Sequence, residues 1–189
     1  MIRTTPSLLK MGSATRVAER AADVLFVLQN KEKLDYQALT DRLNETLQLY
    51  GLQNDITSSD FVELKDMSRK LYAVFRTKDV AYAATLLNGL LSEYAYIPRL
   101  SAHTDSPWHL HVDSSDYAPW MEWFAASSTL AFATLLAEKQ HNPCGLCASP
   151  SCGRPFIDLG KGGGRSYCSP RCATRERVTK YRERDATKP

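Results

Sequence analysis

The sequence lacks any long hydrophobic run: no apolar segment approaches the roughly 18 residues that a membrane-spanning helix needs. The segment from Met1 to Arg20 lacks the apolar core of a signal peptide. The chain also contains no nucleophile motif of an enzyme. From these absences we expect a cytoplasmic protein that contacts no membrane and is not an enzyme.

Cysteine is absent from residues 1–143, and all five cysteines lie between residues 144 and 172. Disulfides that staple a fold would be spread along the chain. An odd number of closely spaced cysteines in a cytoplasmic protein instead favours a metal site.

Charge is divided unevenly along the chain. Residues 1–140 contain 14 Lys and Arg against 17 Asp and Glu, a formal charge of −3, whereas residues 141–189 contain 10 against 4, a charge of +6. This division predicts that the C-terminal part alone binds a polyanion.

Residues 1–140 are predicted to form a mainly helical domain with one β-hairpin. The hairpin is expected where polar and apolar residues alternate, with Tyr96–His103 as one strand and Pro107–Val112 as the other. The predicted helices are Val17–Gln29, a helix capped by Asp35 that ends near Tyr50, a helix capped by Ser58 or Ser59, Val80–Tyr94 and Ala118–Lys139.

Three histidines lie in or beside the predicted hairpin: His103, His109 and His111. Because His109 and His111 are two residues apart on one strand, they would share a face, and such a pair is an alternative metal site. No third ligand accompanies them in a clear motif, so ordinary strand histidines are the favoured interpretation.

A second domain is predicted over residues 144–189, after a linker at residues 141–143. Its cysteines form two close pairs separated by fifteen residues, and this spacing predicts one structural zinc ion. The predicted ligands are Cys147, Cys152, Cys168 and Cys172. Three alternatives remain: Cys144 and Cys147 as the first pair with Cys152 spare, a redox-active C-x-x-C of Cys144 and Cys147, or free buried thiols.

The insert between the cysteine pairs predicts a hairpin, with strands at 155–158 and 165–167 around a glycine-rich turn. Ser169 and Pro170 are expected to cap and start a helix that carries Cys172 in its first turn. A knuckle, a hairpin and a helix in this order form a treble-clef-like zinc finger.

The helix that follows is strongly basic, which predicts contacts with nucleic acid. Val178 and Tyr181 are expected to pack on the zinc knuckle, the turn that contains Cys147 and Cys152. A solvated charged face and a protein-docking face are the alternatives. The basic residues predicted to contact DNA, on this helix and on the glycine-rich turn, are Lys161, Arg165, Arg171, Arg175, Arg177, Lys180, Arg182 and Arg184.

These motifs resemble a known family. Cys147-x4-Cys152-Gly-Arg-Pro-Phe-Ile-Asp158 and Tyr167-Cys168-Ser-x2-Cys172, with the basic helix, resemble the CGNR zinc finger. Residues 1–140, which we call the body, contain Leu86-Leu87-Asn88-x-Leu90-Leu91 and Trp108-His-Leu-His. The body resembles the helical ABATE domain that precedes this finger in bacterial stress-response transcription regulators.

The family's Cys-Gly-Asn-Arg motif reads Cys172-Ala173-Thr174-Arg175 here, so Thr174 joins the residues expected to contact DNA. The resemblance implies a zinc-dependent, DNA-binding transcription regulator, whose body would sense a small-molecule effector or form a homodimer. The alternative function is a zinc-dependent protein-interaction module that does not bind DNA.

Overall fold

The computed structural model describes residues 14–29, 35–52, 56–102, 108–161 and 164–186. Helices dominate this part of the chain, and two small antiparallel sheets of two strands each accompany them, which confirms the predicted fold class. None of the described helices is long and apolar enough to cross a membrane. The elements are α1 (Ala14–Gln29), α2 (Tyr36–Gln48), α3 (Ser58–Arg76), α4 (Val80–Tyr94), β1 (Arg99–Ser101), β2 (His109–His111), α5 (Trp120–Lys139), β3 (Cys144–Leu146), β4 (Pro155–Ile157) and α6 (Pro170–Ala186).

Local capping signals determine where the helices of the body begin. The Asp35 carboxylate accepts a hydrogen bond from the Ala38 amide at 2.8 Å, which confirms the predicted start of α2. The predicted cap of α3 at Ser58 or Ser59 is wrong, because Thr57 is the N-cap. Thr57 and Asp60 form a capping box, in which each side chain accepts a hydrogen bond from the other residue's backbone amide.

Helix α5 lies at the centre of the body, against α1, α3 and α4. Apolar residues surround it on several sides, as expected of a buried helix, and Phe124 and Phe132 are almost wholly inaccessible to solvent. Arg20 of α1 is also fully buried here. Its guanidinium donates a hydrogen bond to the Ser127 hydroxyl at 2.8 Å and lies over the Trp123 ring, 4.6 Å from the centroid.

The first hairpin, β1–β2, has one buried face and one exposed face. On the inner face His111 is buried, with its Nδ1 3.0 Å from the carboxylate of Asp113. On the outer face, Leu100 and Leu110 are opposite each other and exposed. The alternative metal site of His109 and His111 stays a prediction, because the His109 side chain and His103 lie outside the described part of the chain.

The second hairpin, β3–β4, joins the body to the cysteine-rich segment. Cys144 and Ile157 are paired across the strands and belong to the same buried cluster as the body helices, against which Leu146 also packs. Because side chains alternate along a strand, Phe156 faces the other way, towards the cysteines.

Polar contacts strengthen the junction between the body and the cysteine-rich segment. The Asn142 amide donates to the carbonyl oxygens of Val74 and Thr77 at the end of α3, at 2.8 and 2.9 Å. Arg154 forms an ion pair of 2.7 Å with Asp23 of α1. The division into independent domains at 1–140 and 144–189 stays a prediction, while the packing is continuous across it.

Candidate metal centre

Four cysteines meet beside the β3–β4 hairpin. Cys147 follows β3, Cys152 lies in the turn before β4, Cys168 precedes α6, and Cys172 is in the first turn of α6. Their sulfur atoms all lie within 4.8 Å of one another. All four predicted ligands are therefore brought together.

The spacing of the sulfur atoms fits a tetrahedral zinc ion. A Zn–S bond of about 2.3 Å requires sulfur atoms about 3.8 Å apart at the corners of a tetrahedron. The Cys152–Cys168 and Cys168–Cys172 sulfur pairs are each 3.7 Å apart. Four thiolates at this spacing form one structural zinc site in which protein ligands occupy every coordination position.

The turn that presents the first two cysteines is held by backbone hydrogen bonds. The Ser149 carbonyl accepts from the Cys152 amide at 2.9 Å, and the Cys147 amide donates to the Arg154 carbonyl at 2.9 Å. Gly153 has a φ of 60°, a left-handed conformation that glycine adopts without steric cost. We call residues 147–154 the zinc knuckle.

The start of α6 delivers the last ligand, as predicted. The Ser169 hydroxyl accepts a hydrogen bond from the Cys172 amide at 3.3 Å, which confirms Ser169 as the cap. A hydrogen bond with the Ser169 side chain is the main reason that the pKa of the Cys172 thiol is lowered, to about 7. This environment favours the thiolate that binds a metal.

Cys144 is not a member of this cluster. It is buried against the body helices, and burial raises the pKa of its thiol far above the ordinary value. The alternative that pairs Cys144 with Cys147 and leaves Cys152 spare is therefore wrong. A redox role for Cys144-x-x-Cys147 is also disfavoured, because a thiol with a raised pKa is a poor nucleophile at neutral pH.

The predicted second strand at 165–167 is wrong. Strand β4 pairs with β3, and residues 164–167 have no regular secondary structure. The Asp158 carboxylate holds this segment instead, since it accepts a hydrogen bond from the Arg165 amide at 3.0 Å; it also accepts one from the Gly160 amide at 3.0 Å. A hydrogen bond to a side chain therefore holds this segment, where the sequence pattern predicted a paired strand.

Phe156 forms the small apolar centre of the finger. Its ring packs with buried Cys147 and Cys172, and Tyr167 lies against the same cluster. Gly145, directly opposite in the sheet, has no side chain, and a Cβ added there would be only 2.9 Å from the ring. Glycine at this position therefore allows the ring to approach the sheet.

The residues predicted to contact DNA fall into two groups. Arg165 and Arg175 make hydrogen bonds inside the finger, to the Tyr167 carbonyl and the Ser149 hydroxyl respectively. All nine predicted positions are exposed, and the other seven are Lys161, Arg171, Thr174, Arg177, Lys180, Arg182 and Arg184.

Val178 and Tyr181 do not pack on the zinc knuckle, contrary to the prediction, because their exposed fractions are 42% and 70%. Every residue from 177 to 185 is exposed. Helix α6 therefore projects from the zinc centre into solvent.

The sequence did not identify Ser149 and Glu176 as functional residues. Ser149 is 1% exposed, and its hydroxyl donates to the Glu176 carboxylate at 2.6 Å while it accepts from Arg175. No motif in the sequence marks this pair, because their contact joins residues that are 27 positions apart.

Comparison with known proteins assigns the C-terminal segment only. No curated protein matches the chain. Residues 144–185 match the CGNR zinc finger family, so the resemblance of the body to the ABATE domain stays a prediction. The C-terminal segment is therefore similar to CGNR zinc fingers, and its four cysteines are positioned to bind metal.

Proposed function

We propose that the protein binds duplex DNA through α6 and acts as a transcriptional regulator. The observation that carries this proposal is the exposure of α6 on all sides from residue 177 to residue 185. A helix without a packed face gains little stability from its own domain, so its sequence is free to serve a partner. Its first turn contains a zinc ligand, which anchors one end.

The side chains of α6 form a face suited to a major groove. Thr174, Val178 and Tyr181 are spaced four and three residues apart, so they form one uncharged stripe. Arginines flank this stripe on both sides, with Arg171 and Arg182 on one side and Arg177 and Arg184 on the other. Lys180 lies beside Arg177 and Arg184 on the second flank.

This arrangement matches the two kinds of contact that a recognition helix makes. The flanking arginines would bind phosphates of the two strands, which fixes the register of the helix but does not read sequence. The central stripe would face base edges, where Val178 and the methyl group of Thr174 suit the thymine methyl group. Substitution of Thr174 is therefore expected to alter the preference for DNA sequence more than the overall affinity.

A salt titration tests the proposal. Binding of the zinc-loaded protein to a random duplex, followed by fluorescence anisotropy, should weaken steeply as salt rises, because phosphate contacts release counterions. Arg182→Ala should flatten the log–log slope by about 0.9, the contribution of one phosphate. Lys65→Ala removes one exposed positive charge from α3 of the body and serves as the matched control, with little change expected.

Dimerisation would supply the affinity that one small finger lacks. The exposed outer face of β1–β2 supports a homodimer, because Leu100, Leu110 and Trp108 present 68%, 42% and 67% of their surface to solvent. An uncharged apolar face is complementary to itself, and stable dimers bury about 800 Å² per partner. In sedimentation equilibrium, Leu100→Glu should yield a monomer, whereas Val62→Glu, at an exposed apolar position on α3, should not.

One small cleft in the described part of the body bears on effector binding. A cleft lined by His111, Asp113, Trp123 and Ser127 has room for about one water molecule. Effector binding by the body, a stress-response role and a cytoplasmic location in bacteria stay predictions from the resemblance and the sequence.

A protein-docking role for α6 is the second candidate, and the 70% exposure of Tyr181 favours it, since tyrosine is enriched at protein interfaces. This role predicts weak DNA binding that Arg182→Ala hardly changes. If no duplex binds in a salt-dependent way at low micromolar concentration, even to a confirmed dimer, the regulator proposal fails and a protein partner is indicated.

We also propose that the protein is not an enzyme. The four cysteines fill the coordination sphere of the zinc ion, whereas catalytic zinc sites retain an open position for water. Buried His111 and Asp113 are adjacent to each other, but their cleft is too small for a substrate.

A further inference from the structure

Arg175 connects two parts of the finger. Its Nη2 donates to the Ser149 hydroxyl at 2.7 Å and lies 3.4 Å from the Cys172 sulfur. Its Nε lies 3.6 Å from the Glu176 carboxylate. Because Ser149 belongs to the zinc knuckle and Cys172 to α6, the guanidinium spans the two ligand-bearing segments.

Arg165 has a similar position on the other side of the centre. Its Nε donates to the Tyr167 carbonyl at 2.7 Å, and its Nη2 donates to the Cys168 carbonyl. The guanidinium lies over the Phe156 ring, 5.3 Å from the centroid. These contacts hold the segment that presents Cys168.

The charge of the centre gives both arginines a physical role. A zinc ion bound by four thiolates carries a formal charge of −2, which is costly in a partly buried site. A guanidinium that donates towards a thiolate sulfur offsets part of this charge through a charge-assisted hydrogen bond. Arginine retains its proton at all relevant pH values, so the compensation is permanent.

We propose that Arg165 and Arg175 are positioning residues of the zinc centre and do not contact DNA. Arg175 ties the zinc knuckle to α6 and thereby sets the direction in which the exposed helix projects. Arg165 holds the backbone that presents Cys168. The two arginines provide geometry and charge to the metal site, whereas Arg171, Arg177 and Arg182 are the arginines proposed to contact DNA.

The full-length protein provides the test, in measurements that contain no DNA. Zinc affinity is measured by competition with a chromophoric chelator. Residues that orient metal ligands typically change affinity by about 10–100-fold, and we expect this loss for Arg175→Ala and Arg165→Ala. Lys180→Ala removes one positive charge from the same helix as Arg175 and should change affinity less than twofold.

A spectroscopic measurement separates this role from a general loss of stability. In the cobalt-substituted protein the thiolate-to-metal charge-transfer band should shift in Arg175→Ala, because the hydrogen bond to the Cys172 sulfur is lost. Arg175→Lys keeps the charge but not the planar fork, so it should restore part of the affinity, and it replaces Arg175→Ala if that variant does not fold.

Ser149→Ala removes the hydroxyl that Arg175 and Glu176 share and should also lower zinc affinity. The proposal is overturned if both Arg175→Ala and Ser149→Ala have the zinc affinity and the cobalt spectrum of Lys180→Ala. Arg175→Lys takes the place of Arg175→Ala in this comparison if that variant does not fold. A failure here leaves the salt titration of DNA binding unaffected, because the two experiments measure different ligands.

Discussion

Substitution of Cys144 distinguishes a core thiol from a zinc ligand. Its side chain is 6% exposed and lies in the cluster of the body helices, while the four metal-binding sulfur atoms are grouped elsewhere. We therefore expect Cys144→Ser and Cys144→Ala to retain one zinc ion per chain. Cys152→Ser, the matched control, should lose it.

The two Cys144 variants should differ in stability. A hydroxyl placed in an apolar site without a hydrogen-bond partner costs about 1–3 kcal/mol, so Cys144→Ser should lose about 2 kcal/mol. Cys144→Ala deletes one buried atom, at a cost of about 1 kcal/mol. For a protein of this size, a loss of 2 kcal/mol lowers Tm by about 4–8 °C.

The stability difference should also depend on pH. Burial raises the pKa of the Cys144 thiol, so the folded chain retains this proton when the unfolded chain, with a thiol pKa of about 8.5, releases it. The contribution of Cys144 to the free energy of unfolding is therefore complete below pH 8.5 and decreases above it, by about 1.4 kcal/mol per pH unit. Cys144→Ala lacks this decrease.

Urea denaturation of wild type and Cys144→Ala at pH 7.0, 8.0, 9.0 and 9.5, with zinc content measured by elemental analysis, tests the prediction. The wild type should lose its advantage over Cys144→Ala as pH rises. Loss of zinc from Cys144→Ser together with its retention by Cys152→Ser would show that the first two cysteines are the ligand pair, which would refute the assignment.

Three further predictions concern the finger and its junction with the body. Gly145→Ala should destabilise the finger by about 1–3 kcal/mol, because the new Cβ would be 2.9 Å from the Phe156 ring; thermal melts of the zinc form would detect it. Asp23→Asn should weaken the ion pair with Arg154 and cost up to about 1 kcal/mol in urea denaturation, with zinc content unchanged. A chain truncated after Gln140 should melt well below the full-length protein in circular dichroism, since the segment that completes its core is missing; equal melting temperatures would instead support an independent body.

Local signals in the sequence predicted much of the fold. The cap at Asp35, the bounds of α4 at Val80 and Tyr94, and the start of α6 after Ser169 depend on residues within a few positions of one another. The four zinc ligands were predicted for a similar reason, because a tetrahedral site constrains the spacing of each cysteine pair. Capping and coordination are short-range rules, so a single sequence reveals them.

Contacts between distant segments were not predictable in the same way. The true partner of Phe156 is Gly145, before the knuckle, and no local pattern favours this pairing over one with residues 165–167. The Arg175–Ser149 contact also joins residues 26 positions apart, so the sequence alone does not separate Arg175 from the other arginines of its helix. Density of charge in a sequence does not reveal which charges already have partners in the fold.

The docking of β4 on α1 has a consequence for synthesis of the protein. Asp23 and Arg154 are 131 positions apart, and at about 5–20 residues per second a ribosome needs roughly 7–26 s to make the intervening chain. During this interval the apolar side of α1 lacks its final cover, which makes the nascent chain a substrate for chaperones and prone to aggregate. Because β4 lies between the zinc ligands Cys152 and Cys168, its docking on α1 should depend on zinc. Zinc starvation of growing cells should therefore move newly made chains into inclusion bodies, while molecules completed earlier remain soluble.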